Sequence, residues 1–257
     1  MDRKISDAAF GDSTYALAFE TSSAQGCVAL GCGPKVLEAA RFTKARAHAA
    51  EFLPTIDALC RAHDAEPQRI EWVFVSAGPG SFTGLRIGIT AARMIALAVG
   101  ARVVAIPTLE VIAQNALDSP TPPDQVAVIL DAKRRRVYSA TFARRPPPPY
   151  KGGARGGRYV AIDDPREADP VEYLAAQSPT CAMLGEGVLY HREAVAASGL
   201  MVLPESIYPP RAETVYRLGV EQALLGRAIA ARNLIPIYIR PPEAEEVWQA
   251  RHGSQSG

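Results

Sequence analysis

The chain has 257 residues, 48% of them hydrophobic, with 28 Lys and Arg against 27 Asp and Glu. That near-neutral balance excludes a global field drawing in nucleic acid or a membrane surface, and the length suits one large domain or two smaller ones at roughly 150 residues each. The four cysteines contain no CxxC pair and read as reduced thiols of a cytoplasmic chain. Residues 1–14 lack the apolar run of a secretory signal. The longest greasy stretch, Ile87 to Val99, contains Arg93 and is too short to span a bilayer.

Tyr15–Phe19 reads as a strand that runs into the polar turn Glu20-Thr21-Ser22-Ser23. Cys27–Leu30 and Val36–Phe42 follow after short turns, which favours an antiparallel meander. A helix is predicted from about Ala45 to His63, because Phe52, Leu53, Ile56, Leu59 and Cys60 recur at helical spacing. Strand 72–76, helix 84–99, strand 102–106 and helix 108–117 complete a mixed sheet covered by helices.

The junction EWVFVSAGPGSFTGLRIGIT carries the strongest local signal. A buried strand ends in a turn built on Gly78, Pro79 and Gly80, and Ser81 or Thr83 caps the helix that follows. Such a junction either seats an anion on free backbone N–H groups or is a tight turn whose glycines only satisfy backbone geometry. It is not a Walker loop, since no Lys follows the glycine turn.

The second half repeats the first. Val126–Leu130 ends in Asp131, crosses a polar turn and resumes as Val137–Phe142, and Cys181–Leu184 runs into Gly185-Glu186-Gly187 as Val73–Ser76 runs into the first glycine turn. This predicts a duplicated α/β unit with a cleft between halves, 15–120 and 121–243, with residues 1–14 and 244–257 as flexible tails. The stretch 144–157, RRPPPPYKGGARGG, reads as a mobile cationic loop.

Chemical candidates are few. The four histidines form no HExxH motif and no pair at i and i+4, which favours structural or surface roles over zinc. No GxSxG frame surrounds Ser81, against a serine hydrolase. Glu20 and Asp131, both at strand ends, either share one cleft and hold magnesium or are ordinary strand-end acids. The run Lys133–Arg136, with Arg144 and Arg145, either meets phosphate or RNA or is a solvated hairpin turn. The small residues of helix 84–99, with Ile and Leu on several sides, predict burial on two sides, within the chain or against a partner.

The segments ALAFETSS, GPGSFTGLRIGIT, LDAKRRRVYSATF and PIYIRPPEA together resemble the bacterial TsaB (YeaZ) family over about residues 15–243. The resemblance implies an actin-like (ASKHA, ribonuclease H-like) fold of two related halves and a non-catalytic role in synthesis of threonylcarbamoyladenosine at position 37 of tRNA. It implies a TsaD transferase as heterodimer partner, a TsaE ATPase, tRNA contacted through the complex, and a homodimer when the chain is alone. ATP and magnesium would serve the complex, with no cofactor or metal required by this chain. The similar TsaD chains carry HHxEGH where this sequence has Pro107, Thr108, Glu110 and Ile112. Thr and Ile cannot replace imidazole around a metal. Glu20 stands where the family more often has Asp, and the prolines at 146–149 enlarge a loop.

The ligand cleft implied by these readings comprises Glu20, Thr21, Ser22, Gly78, Gly80, Ser81 and Asp131, and the partner face comprises Phe52, Ile56, Leu59, Arg86, Ile89, Thr90 and Arg93. Alternatives from other classes are an autonomous nucleotide-binding enzyme of the same fold and a glycoprotease-like metallopeptidase, the second disfavoured by the missing histidines.

Overall fold

The computed structural model describes residues 10–45, 48–146 and 157–240. The predicted tail from 244, most of the proline-rich loop and the first turn expected for helix 45–63 lie outside the described residues.

Eleven strands form two sheets among the described residues. In the first, β1 (Tyr15–Glu20), β2 (Cys27–Cys32) and β3 (Lys35–Arg41) form the antiparallel meander, and β4 (Ile70–Gly78) and β5 (Arg102–Pro107) add in parallel, giving the order β3-β2-β1-β4-β5. A parallel neighbour requires a crossover, and α1 (His48–Ala62) and α2 (Phe82–Val99) supply the two needed here. The second sheet contains β6 (Gln125–Asp131), β7 (Val137–Arg145), β8 (Arg158–Ala161), β9 (Arg166–Ala168), β10 (Ala182–Leu184) and β11 (Met201–Val202). Its path β8-β7-β6-β10-β11, with β9 also on β7, repeats the order and the strand directions of the first. The two glycine turns correspond as well: Gly78 and Gly185 end equivalent strands with φ of 114° and 110°, a region that a side chain would strain.

Each sheet buries apolar residues on strands that read as near-continuous hydrophobic runs, as expected where both faces are covered. On the first sheet, Leu17, Phe19, Val73 and Val75 face α1 and α2, while Ala16, Ala18, Trp72 and Phe74 face the opposite layer. That layer is α7 (Ala212–Leu224), whose Tyr216 donates its hydroxyl proton to Gly33 O at 2.7 Å and packs edge-on against Phe74. Gly219 allows this approach, since a Cβ there would meet the Phe74 ring at 2.1 Å.

Two expectations are corrected here. The division at residue 120 assigned α7 to the second half, but its apolar stripe finds its complement on the first sheet. Phe10, placed by sequence in the flexible tail, is buried against Trp72 and Phe74, because an aromatic side chain next to an open apolar face gains about 1.5–3 kcal/mol by covering it.

By length and composition alone, the 18 residues of α2 are apolar enough to cross a membrane. Here it is a layer of the fold: Leu85, Ile89, Ala92 and Ala96 are buried on the sheet side. Ser81 caps its start by accepting from Gly84 N at 3.2 Å, and Gly100 ends it in the left-handed conformation at φ 76°. The helix α3 (Thr108–Gln114) continues from β5, and a 3-10 turn (Asn115–Asp118) carries the chain toward β6.

Candidate functional site: an interlobe cleft and an apolar groove

The turn after β1 and the turn after β4 meet at the bottom of the cleft between the sheets. Ser22 O accepts from Ser81 N at 2.7 Å, joining them directly. Close approach also comes from α2, where a Cβ on Gly84 would meet Thr21 O at 2.0 Å and one on Gly88 would meet Thr21 Oγ1 at 2.2 Å. The glycines of this helix therefore serve its contact with the chain's own β1 turn. Below them, Thr108 Oγ1 lies 2.8 Å from Ser76 Oγ and accepts from Gly78 N at 3.1 Å.

Glu20 is sealed beneath the Ser22 turn with no exposed surface. Its Oε1 accepts from Ser22 N at 2.6 Å and from Ser22 Oγ at 2.5 Å. Burial pushes its carboxyl above the usual range, against the opposing pull of hydrogen bonds from Ser22 and Ser76. Asp131, by contrast, lies at the cleft. It holds Lys133 Nζ at 2.7 Å, and His191 Nε2 stands 3.3 Å away. Burial raises its pKa, but the hydrogen bonds from Lys133 and His191 outweigh it, and the net shift is downward. Nearby Glu186 is shifted up, by burial first and then by the charge of Asp131.

A cavity of about 610 Å³ lies between the two halves. Of the sequence-predicted ligand residues, Ser22, Gly80, Ser81 and Asp131 line it, whereas Glu20, Thr21 and Gly78 lie outside its lining. So the two strand-end acids take different places, Asp131 on the cavity wall and Glu20 beneath a turn. No group of three or more His, Cys, Asp and Glu poised for a metal occurs among the described residues. Sequence reasoning weighed Lys133 as a phosphate or RNA contact and named Glu186 in the second glycine turn, but missed Tyr138, Tyr190 and Arg240 as wall residues, and treated His48 as structural; His48 also lines the cavity, with Nε2 3.1 Å from Ser23 O.

The segment aligned with the histidine motif of TsaD chains is interior. Thr108 and Ile112 are buried at 1% and 0% exposure. Glu110 pairs with Arg158 Nη2 at 2.6 Å, and the same guanidinium also pairs with Glu221 of α7. This triad ties α3, β8 and α7 together.

On the outer side of the first half, α1 and α2 leave a groove of about 720 Å³ lined by Phe52, Leu53, Phe82, Arg86, Thr90 and Met94 among others. Leu53, Met94 and Leu97 are 62%, 66% and 68% exposed. Two of the predicted interface residues, Arg86 and Thr90, line the groove, and Phe52 forms its floor. Ile56, Leu59 and Ile89 instead face the sheet at 9%, 3% and 4% exposure, and Arg93 is half-buried outside the groove. The spacing of residues 52, 56 and 59 marks the stripe that covers β1 and β2, so the open face is the adjacent one.

Two copies of one five-strand plan around a cleft make this an α/β protein of the duplicated, actin-like class. The family model for TsaD, tRNA N6-adenosine threonylcarbamoyltransferase, matches residues 42–145. The chain is 28% identical over 204 residues to the tRNA threonylcarbamoyladenosine biosynthesis protein TsaB of Bacillus subtilis, covering 78% of this chain and 83% of that one. It is 26% identical over 195 residues to TsaB of Escherichia coli, covering 76% and 81%. The fold is that of YeaZ from Pseudomonas aeruginosa, with a TM-score of 0.72 at 23% identity over 88% of this chain and 99% of that one. The chain is thus similar to TsaB (YeaZ) proteins over about three quarters of its length.

Proposed function

We propose that this chain is a non-catalytic subunit in the synthesis of threonylcarbamoyladenosine on tRNA, and that it works by docking a TsaD-type chain through the α1/α2 groove. The observation that carries this reading is the open apolar groove, with Leu53 and Met94 turned to solvent. An exposed patch of that kind on one face marks an interaction surface. Its occupant is argued from the family-model match: residues 42–145 contain both helices, so a TsaD chain carries equivalent helices and can pair with these in a pseudo-symmetric way. A second copy of this chain would use the same face in the absence of that partner.

The non-catalytic part rests on the buried Thr108 and Ile112 and on Glu110 being held by Arg158. A weak response to nucleotide rests on the glycine turn, where Ser81 N is engaged by Ser22 O and Gly84 N by Ser81 Oγ. Phosphate would have to displace these bonds, with Asp131 and Glu186 facing it across the cavity. Binding of ATP to the isolated chain is expected near millimolar, on the order of 4 kcal/mol; ATP and magnesium, and a TsaE-type ATPase, serve the complex. Calorimetry giving micromolar affinity would favour an autonomous nucleotide enzyme instead.

The test is co-expression with a TsaD homologue from the same source. A stoichiometric complex lost on Met94→Glu, in a variant that remains folded, is the expected result. A complex that survives the substitution places the interface elsewhere.

A further inference from the structure

The interlobe cleft carries one exposed aromatic ring on each wall, and each ring has a cation beside it. On the first half, Phe82 opens α2 at 44% exposure, with the Arg86 guanidinium 5.0 Å from its ring centre and the Tyr238 ring tilted against it at 5.7 Å. On the second half, Tyr190 closes the short helix α5 (Gly187–Tyr190) at 64% exposure, with Lys133 Nζ 5.4 Å from its ring. Both rings line the same cavity. Lys133 begins the exposed run Lys133-Arg134-Arg135, three consecutive residues at φ 64°, 51° and 59°. The turn is closed by Arg136 N on Lys133 O and Ala132 N on Arg136 O, both at 2.9 Å. Left-handed backbone at non-glycine residues needs such support, and here it holds three cations at the tip of the β6–β7 hairpin. Asp131 stays behind them, engaged by Lys133.

We propose that the mouth of this cleft binds a single strand of RNA, with a base stacked on Tyr190, whose ring Lys133 flanks while paired to Asp131, and the adjoining phosphates met outside the cavity by Arg134 and Arg135. Aromatic faces interleaved with cations are what unpaired nucleotides require, since every base has a face to stack and every linkage a charge to neutralise. A duplex hides its base faces and would gain only the cations. The near-zero net charge of the chain confines the attraction to this patch. The inference rests on the reading that the chain serves a tRNA-modifying assembly, and gives the cleft, as distinct from the groove, a share of the substrate.

The test uses the full chain and a fluorescein-labelled, unstructured 12-nucleotide RNA, read by anisotropy over a salt series. Wild type is expected to bind, with Tyr190→Ala about tenfold weaker and Tyr190→Phe unchanged. Arg134→Gln with Arg135→Gln should lower the slope of log K against log salt by about 1.4, at roughly 0.7 per phosphate contact on a single strand. Absence of binding at low salt overturns the proposal. So does equal affinity of wild type and Tyr190→Ala, or competition by duplex DNA or anionic vesicles as effective as that by RNA. Met94→Glu, in the groove and outside the cleft lining, separates the two readings: it should lose the TsaD partner and keep RNA. If it loses the partner while no chain binds RNA, only the present inference falls. If it keeps the partner while wild type binds RNA, only the docking reading falls.

Discussion

Truncating α2 on its two faces should affect two different measurements. Ile89 is 4% exposed and packed in the cluster with Phe19 and Val75, while Met94 is 66% exposed. Ile89→Ala removes three buried carbons and leaves a cavity, which costs about 3 kcal/mol, within the usual 2–5. For a domain of this size each kcal/mol moves the midpoint by about 2–4 °C, so Tm should fall by roughly 6–12 °C. Met94→Ala removes side-chain atoms that already face water and should stay within about 0.5 kcal/mol of wild type. Binding to a TsaD homologue should show the reverse order. Met94→Ala should lose about tenfold in affinity, or about 1.4 kcal/mol, and Ile89→Ala, measured well below its midpoint, should lose little. Urea unfolding by circular dichroism, with unchanged m values, and calorimetric titration give the two readouts. If Met94→Ala unfolds as easily as Ile89→Ala, or if Ile89→Ala alone weakens binding, the two faces are wrongly assigned.

Three further outcomes follow. A carboxyl held above its unfolded pKa stays neutral while the unfolded chain ionises, so the stability that Glu20 contributes is complete below about pH 4.5 and is lost as pH rises toward the folded value; Glu20→Gln, which keeps an acceptor for Ser22, should flatten this part of the pH–stability curve, and an unchanged curve refutes the buried neutral acid. Arg158→Met leaves Glu110 and Glu221 facing without a cation and should cost about 2 kcal/mol, discounted from the usual 3–5 for the partial exposure of the triad; Arg158→Lys should recover part of this, and a neutral Met variant would mean the triad adds nothing. Burial pushes the Cys27 thiol up to about 12, and Cys60 and Cys181 are buried as well, so a thiol reagent at neutral pH should label Cys32 first; fast labelling of Cys27 by peptide mapping would contradict its place under α7.

Much of this architecture was written in local pattern. β1, β4 and β6 are apolar runs ending in an acid or a glycine turn, and their recurrence in one order announced the duplication that the two sheets show. Ser81 or Thr83 marked the start of α2, and Ser81 proves to be the cap, because capping is decided within a few residues. The orientation of α2 was not legible. Periodicity identifies a buried stripe only when the other side is polar, and here Ile87, Met94 and Leu97 make the outer side as apolar as the inner. Nor could the sequence separate Glu20 from Asp131, since both end equivalent strands. Their difference comes from Ser22 folding over Glu20 and bonding to Ser81, and from His191 and Lys133 meeting Asp131. The return of α7 to the first sheet was equally hidden, because its contact with Cys27 joins residues 185 positions apart.

The central claim is that the α1/α2 groove docks a TsaD-type chain. Its most direct measurement is size-exclusion chromatography with light scattering on this protein mixed with a purified TsaD homologue, comparing wild type with Met94→Glu at matched folding by circular dichroism. The account predicts a one-to-one heterodimer for wild type and separate species for Met94→Glu. A heterodimer formed equally well by both, or by neither, would contradict it.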